Sequence, residues 1–538
     1  MRVTIPPLRF YLTLSGGASL GAYEAGAAGG LALAVRHLDA EGDQEASVDA
    51  IGGASAGALV SFFTAHALMQ GLDPEELLHE TWVERVSLPL LLSKGADALL
   101  SFDDLRERVP DVLADDGPAR PGADGVDYQQ RRSLALHLQV TGLRGLTYPI
   151  RGLRRDAPLT GATYADWGRF ELEPGAGLEQ MLEPPRRSPL DFALASAASP
   201  GGFAPELLDR RPDADTYERH GIENFPESGH LWYTDGGLLG SQPLGRVIAA
   251  GRALHGGNED AQGVHLLIDP RSENASLDMW SDPDGRPSWQ AGASRALAVL
   301  SEQSLFDDLR RIEKDNSRLE WAERLADRLA EGLDEDAAAG LREFITEVES
   351  ERKGMRADEP HRDGERADQQ SGELAGLLRR ALCEVGGLVG KERIASDVIS
   401  PLLLEDDDGD VGTLLAGEFM GDFGGFLSRD LRASDFALGY ESAIAWLGEG
   451  LGACELEDEA IDGTLSFVRA KRRYDPDRTR SGDAELSDLS LADRLQLVRL
   501  GAHLARVLGA GALDLRSRIP DPLGRAIEGA RERLPGRG

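Results

Sequence analysis

Cysteine is nearly absent: the 538 residues hold only Cys383 and Cys454, too far apart in sequence for a disulfide framework and too few for a multi-cysteine metal site. Lysine is almost as scarce. The only lysines are Lys94, Lys314, Lys353, Lys391 and Lys471, and the net charge is −35. This imbalance argues against nucleic acid as a partner, and at low salt it opposes docking on anionic membranes. A salty host cytoplasm would mute the self-repulsion, because the Debye length falls to about 3 Å at 1 M salt. No run approaches the roughly 18 apolar residues of a spanning helix. Met1 to Phe10 also lacks the basic start and unbroken apolar core of a signal peptide. A soluble, cytoplasmic protein is expected.

The chain does have enough apolar residues, 41%, to bury a core, and a length that predicts two domains or one domain with a large extension. Arg9–Leu14, Val48–Ile51, Leu134–Thr141, Leu231–Thr234 and Val264–Ile268 read as strands. The first two enclose a glycine-rich loop and a helix from about Gly21 to His37. A strand, a loop, a helix, a strand, a turn and a second helix in about 70 residues open a parallel sheet covered by helices. The expected division is an α/β domain over residues 8–275 and a mainly helical region over 276–538, with a polar flexible stretch near 350–373.

Gly26, Gly29 and Gly30 each cost on the order of 0.8–1 kcal/mol in a helix interior, which predicts close packing, most simply on the sheet. Ser87–Leu92 and Ala98–Leu100 are apolar pieces that suit either a greasy lip at a substrate mouth or ordinary buried faces. Leu491, Leu495, Val498, Ala502 and Ala505 share one helix face, expected to be a core face. Arg432 and Asp435, three apart on a helix, suggest an ion pair. The acidic run Glu405–Asp410 fails the alternation of a calcium loop, so a solvated loop is expected, and no metal or cofactor is called for.

The stretch with the sharpest chemistry is Gly53-Ala54-Ser55-Ala56-Gly57, between the second strand and the second helix. A strand turning directly into a helix exposes Ser55 at the helix N-terminus, where free N–H groups favour developing negative charge. The loop Ser15-Gly16-Gly17-Ala18-Ser19-Leu20-Gly21 follows the first strand. It can aim several N–H groups at one point, which suits a phosphate or an oxyanion. Its glycine spacing is not that of a dinucleotide loop. A serine nucleophile needs a base. His255, His265, His361 and His503 follow Asp235 in the order of an α/β-hydrolase relay, yet none lies in a recognisable site. The alternative is direct proton transfer from Ser55 to Asp235, which heads Asp235-Gly236-Gly237.

Four pieces in order resemble the patatin-like phospholipase family: Leu14-Ser15-Gly16-Gly17-x-x-x-Gly21; Gly53-x-Ser55-x-Gly57; Ala195-Ser196-x-Ala198-x-Pro200-x-x-Phe203-x-Pro205; and Asp235-Gly236-Gly237 followed by Gln242-Pro243. The resemblance implies a three-layer α/β sandwich with a mostly parallel sheet and a serine acyl hydrolase acting on phospholipid or lysophospholipid esters, at a membrane surface or in solution, without a cofactor. It implies Ser55 as nucleophile and Asp235 as general base. Gly16, Gly17, Ala18 and Ala56 would be oxyanion donors, Gly53 and Gly57 the flanks of the elbow, and Gly21, Gly236 and Gly237 active-site support. Leu20 stands where family members often carry Arg or Lys, which removes a charge from the loop but not its N–H groups. Phe423 to Gly439 resembles the helical extensions of some bacterial patatin-related proteins. The rival reading from another class is a catalytically idle lipid-binding or scaffold protein with the same fold.

Overall fold

A computed structural model describes residues 6–40, 44–95, 98–114, 129–150, 159–175, 177–200, 202–240, 242–255, 261–270, 289–333, 336–345, 374–388, 394, 396–404, 415–417, 422–474 and 489–518. The acidic run after Leu404, the polar stretch 350–373 and His361 lie outside them.

Eight strands make one mixed sheet: β1 (Leu8–Leu14), β2 (Ala46–Gly53), β3 (Leu134–Ile150), β4 (Leu159–Leu172), β5 (Glu206–Asp209), β6 (His230–Thr234), β7 (Gln262–Ile268) and β8 (Ser396–Ile399). Their order is β5-β6-β3-β2-β1-β7-β8, with β4 paired to β3. β3, β2, β1, β7 and β8 run parallel; β4 and β6 pair antiparallel with β3. Every residue of β1 and β2 is buried, as expected of parallel strands covered on both faces. One face is covered by α1 (Gly21–Ala40), α2 (Ala56–Gln70) and the helix Pro189–Ala197. The other is covered by the helix Leu244–His255, with Leu309 and Ile312 of the helix Trp289–Gly332 packed behind it. The result is a three-layer α/β sandwich with helices added from the C-terminal half.

That half does not stand apart at residue 275. β8 extends the sheet beside β7, and Trp446 donates its indole N–H to the Asp397 carboxylate of β8 at 3.0 Å. The helix Arg429–Ala453 lies on α1, and here the glycines find their reason. A Cβ on Gly26 would sit 1.9 Å from the Phe436 carbonyl oxygen, and one on Gly439 would sit 1.9 Å from that of Tyr23. The two helices therefore cross backbone to backbone. Gly26 serves a contact with a helix some 400 residues later, not the expected packing on the sheet.

Of three other expectations, the first holds and two change. Leu88, Leu90, Leu91 and Leu100 are buried, so these apolar pieces are core and not a lip. In the helix Leu491–Arg518 the stripe Leu491, Leu495, Val498, Ala502 and Ala505 is exposed. Leu497 and Leu500 pack on the core instead. Finally, Arg432 and Asp435 turn to backbone groups and not to one another. Arg432 donates to the carbonyls of Val83 (2.8 Å) and Gly425 (2.7 Å). Asp435 accepts from the N–H groups of Ala416 (2.7 Å) and Gly417 (2.9 Å). Buried backbone groups outside helices and strands need partners, and that demand outweighs a helical ion pair.

Candidate active site

The parallel strands place their carboxyl ends at one level, where Leu14 is paired with Gly53 and Ile268, and Gly53 with Leu138. The candidate residues lie just beyond it, where open α/β sheets bind ligands. Ser55 follows β2 and caps α2 with φ 54° and ψ −128°, a strained conformation for a side-chain-bearing residue. The turn is possible because a Cβ on Gly53 or Gly57 would approach the Leu14 carbonyl oxygen to 2.5 or 2.7 Å. β1 fills the space that both glycines leave open.

Asp235 reaches the same edge from the opposite direction, at the end of β6. Its N–H donates to the Ala198 carbonyl at 3.0 Å, and that of Gly236 to the Ser196 carbonyl at 3.1 Å. A Cβ on Gly236 would lie 2.0 Å from the Gln139 carbonyl oxygen, so only glycine allows the strand end to close on β3. The two carboxylate oxygens then have separate partners. The Gly237 N–H donates to Oδ1 at 2.8 Å, and Ser55 Oγ donates to Oδ2 at 2.9 Å. Burial pushes the Asp235 carboxyl up to about 6, against the lowering effect of those two hydrogen bonds. The side chain is thus both positioned against a hydroxyl and made more basic than an exposed aspartate.

Ser196 received no role of its own from the sequence, although it stands in a quoted motif. Its hydroxyl donates to the Gln139 carbonyl at 2.6 Å and accepts the Ser55 N–H at 3.0 Å, tying the elbow to β3. Replacing Ser196 with Ala leaves both buried backbone groups unpaired and loosens the elbow. The expected result is a roughly ten- to hundredfold loss of kcat on a short-chain ester with KM little changed, read from steady-state kinetics.

The glycine-rich loop departs from expectation at Gly16. With φ at 118°, its N–H turns inward to Glu24 Oε1 at 2.7 Å and is not aimed at Ser55. The role of Gly16 is steric, since a Cβ there would lie 2.6 Å from the Ala54 oxygen and 2.9 Å from Ser55 Cβ. The oxyanion expectation therefore narrows to Gly17, Ala18 and Ala56. Ala56 opens α2, where helices leave their first N–H groups without intrahelical partners. Gly21 is also a contact residue: a Cβ there would run into the Trp82 ring at 2.3 Å.

Behind the loop is a buried polar layer that sequence reasoning missed. Ser15 Oγ lies 3.1 Å from Glu24 Oε1 and 3.2 Å from Asp269 Oδ1, and Gln242 Nε2 donates to Asp269 Oδ2 at 2.9 Å. A lone Glu in the opening turns of a helix otherwise built there of Gly, Ala and Tyr was the available signal for Glu24. The C-terminal half closes the loop from outside. Ser19 donates from its N–H to the Asp422 carbonyl at 2.9 Å, and its hydroxyl accepts the Gly425 N–H at 3.0 Å.

No described histidine hydrogen-bonds Ser55. His255 Nε2 lies 3.0 Å from the Ser133 carbonyl, His265 stacks on Tyr11 with ring centroids 4.8 Å apart, and His503 is buried in the last helix. Among the described residues no group of three or more His, Cys, Asp or Glu is placed to hold a metal, and no helix is long and apolar enough to cross a membrane.

No curated protein matches the chain. Residues 12–248 match the family model described as patatin-like phospholipase, a stretch that holds the glycine-rich loop, Ser55, Ser196 and Asp235. Residues 12–248 therefore form a patatin-like phospholipase domain, which supports a lipid acyl hydrolase in general terms.

Proposed function

We propose that the protein hydrolyses carboxylic ester bonds of phospholipids or lysophospholipids through an acyl-Ser55 intermediate. The observation that carries this reading is the 2.9 Å hydrogen bond from Ser55 Oγ to Asp235 Oδ2, made by a carboxylate with no competing histidine among the described residues. Ser55 Oγ attacks the ester carbonyl carbon while its proton passes to Asp235 Oδ2. The carbonyl oxygen becomes an oxyanion held by the N–H groups of Gly17, Ala18 and Ala56, assisted by the positive end of α2. Collapse breaks the bond to the alcohol, which takes the proton from Asp235 as it leaves. Water then gives its proton to Asp235 and attacks the acyl carbonyl; the second collapse returns the proton to Ser55 and releases the fatty acid. Asp235 Oδ1, held by Gly237, keeps the carboxylate aimed through both halves.

A fluorophosphonate probe tests the nucleophile. Wild type is expected to be labelled and to turn over a short-chain nitrophenyl ester, with both lost in Ser55→Ala. A wild-type chain that neither labels nor turns over would sink the enzyme reading in favour of the idle lipid-binding one.

A further inference from the structure

β3 does not stop at the catalytic level. After Gln139 it runs on to Ile150 and returns as β4, paired from Ile150 opposite Leu159 back to Leu134 opposite Leu172. Beyond Gly142, the last β3 residue paired with β6, the hairpin leaves the main sheet as a two-stranded arm. It projects from the edge that carries Ser55 and Asp235. Asn224 braces its base, accepting the Thr147 N–H at 2.7 Å and donating to the Gly145 carbonyl at 2.9 Å.

The arm's composition is unlike that of the rest of the chain. From Gly142 to Ala165 the sequence carries four arginines, Arg144, Arg151, Arg154 and Arg155, and a single carboxylate, Asp156, in a protein with 93 Asp and Glu. Leu146 is buried, but four other large apolar side chains of the arm are out in solvent: Leu143 is 52% exposed, Tyr148 37%, Ile150 42% and Tyr164 48%. They occupy both faces. A Cβ on Gly161 would meet Ile150 and Tyr148 on one side, and a Cβ on Gly145 would meet Tyr164 on the other. The patch continues toward the site through Trp232 of β6, 53% exposed, and Leu239 in the turn after Asp235, 46% exposed.

We propose that this arm docks the protein on a lipid surface by immersing both of its apolar faces in the bilayer interface, beside the mouth of the Ser55 site. A folded protein partner would cover one face of a two-stranded arm, whereas an interface that wets tyrosine at one end and aliphatic side chains at the other accepts both. Electrostatics points the same way. A chain of net charge −35 is repelled by anionic headgroups over most of its surface, so the stretch 142–165, with four arginines and a single carboxylate, is the part that meets them at least cost. This assignment rests on the acyl hydrolase reading for its choice of partner, and it gives that reading its physical setting, an ester still seated in a membrane.

The test uses the full chain carrying Ser55→Ala, so that binding is measured without turnover, with sedimenting vesicles of phosphatidylcholine alone and with phosphatidylglycerol. The expected result is co-sedimentation, reduced at least about tenfold by the triple variant Tyr148→Asp, Ile150→Asp, Tyr164→Asp, at an unchanged melting temperature. Absence of vesicle binding overturns the proposal. So does full binding by the triple variant, or loss of binding only in Leu495→Asp, Val498→Asp, which would assign docking to the exposed stripe of the last helix. A dimer dissolved by the triple variant without any vesicle binding would make the arm an interface between copies and also overturn it. Soluble-ester turnover by the wild-type chain, scored separately, tests the hydrolase reading alone.

Discussion

Asp235→Asn is expected to lower ester turnover by about three orders of magnitude or more and at the same time to make the protein more stable at neutral pH. The activity loss follows from geometry. Asn can still accept the Gly237 N–H and lie beside Ser55 Oγ, but it cannot take a proton. The stability gain follows from the sign of the pKa shift. Burial holds the carboxyl at about 6 in the folded protein, against about 3.9 for an unperturbed aspartate. Between those values the folded chain binds more protons than the unfolded one, so stability falls as pH rises through that window, and the penalty is fully present above it. That difference corresponds to about 2–3 kcal/mol, which Asn does not incur. Urea denaturation of both proteins at neutral pH and near pH 4 checks this. The variant should be ahead at neutral pH, and its lead should shrink on acidification. For the wild type the same shift predicts that kcat falls as pH drops through about 6, because the protonated carboxyl is no longer a base. A flat profile from pH 5 to 8 would remove Asp235 from the role of base.

What was legible in the sequence was whatever local rules determine. The Gly53-x-Ser55-x-Gly57 turn and the Asp235-Gly236-Gly237 strand end both announce a backbone that must approach another closely, and both glycine sets do so. The alternation from strand to helix points to the sandwich. What was not legible depends on which distant group answers a local demand. Gly16 reads as an oxyanion donor because nothing in a loop's sequence shows where its N–H points, and Glu24, on the following helix, claims it. Arg432 and Asp435 stand at ion-pair spacing, but the unpaired carbonyls of Val83 and Gly425 and the N–H groups of Ala416 and Gly417 take them separately. In the last helix two apolar stripes are available, and periodicity alone does not choose between them. Leu497 and Leu500 face the core, while Leu491, Leu495 and Val498 face solvent. β8 and the helix Arg429–Ala453 read as part of a separate helical region because a short strand far along the chain carries no mark of the sheet edge it joins.

The same reasoning makes Gly26→Val the substitution with the largest expected cost to stability. At an exposed helix position, replacing glycine normally helps. Gly501, where an added Cβ would meet nothing within 4 Å, should gain about 0.5–1 kcal/mol as Gly501→Ala. At Gly26 the new Cβ falls 1.9 Å from the Phe436 carbonyl oxygen and 2.9 Å from the Tyr440 amide nitrogen. Both are backbone atoms of a helix that cannot move aside as a rotamer would. α1 and the helix Arg429–Ala453 must separate, and α1 is buried along almost its whole length, so the separation reaches β1 and the glycine-rich loop that follows it. The expected loss is at least about 3 kcal/mol, read as a fall in the urea midpoint or as failure to recover folded protein. Gly439→Val, which meets the Tyr23 carbonyl at 1.9 Å from the other side, should match it. The double variant should cost much less than the sum of the two, because the first substitution already opens the crossing that the second would clash with. Additive losses would mean that the helices do not meet at this point.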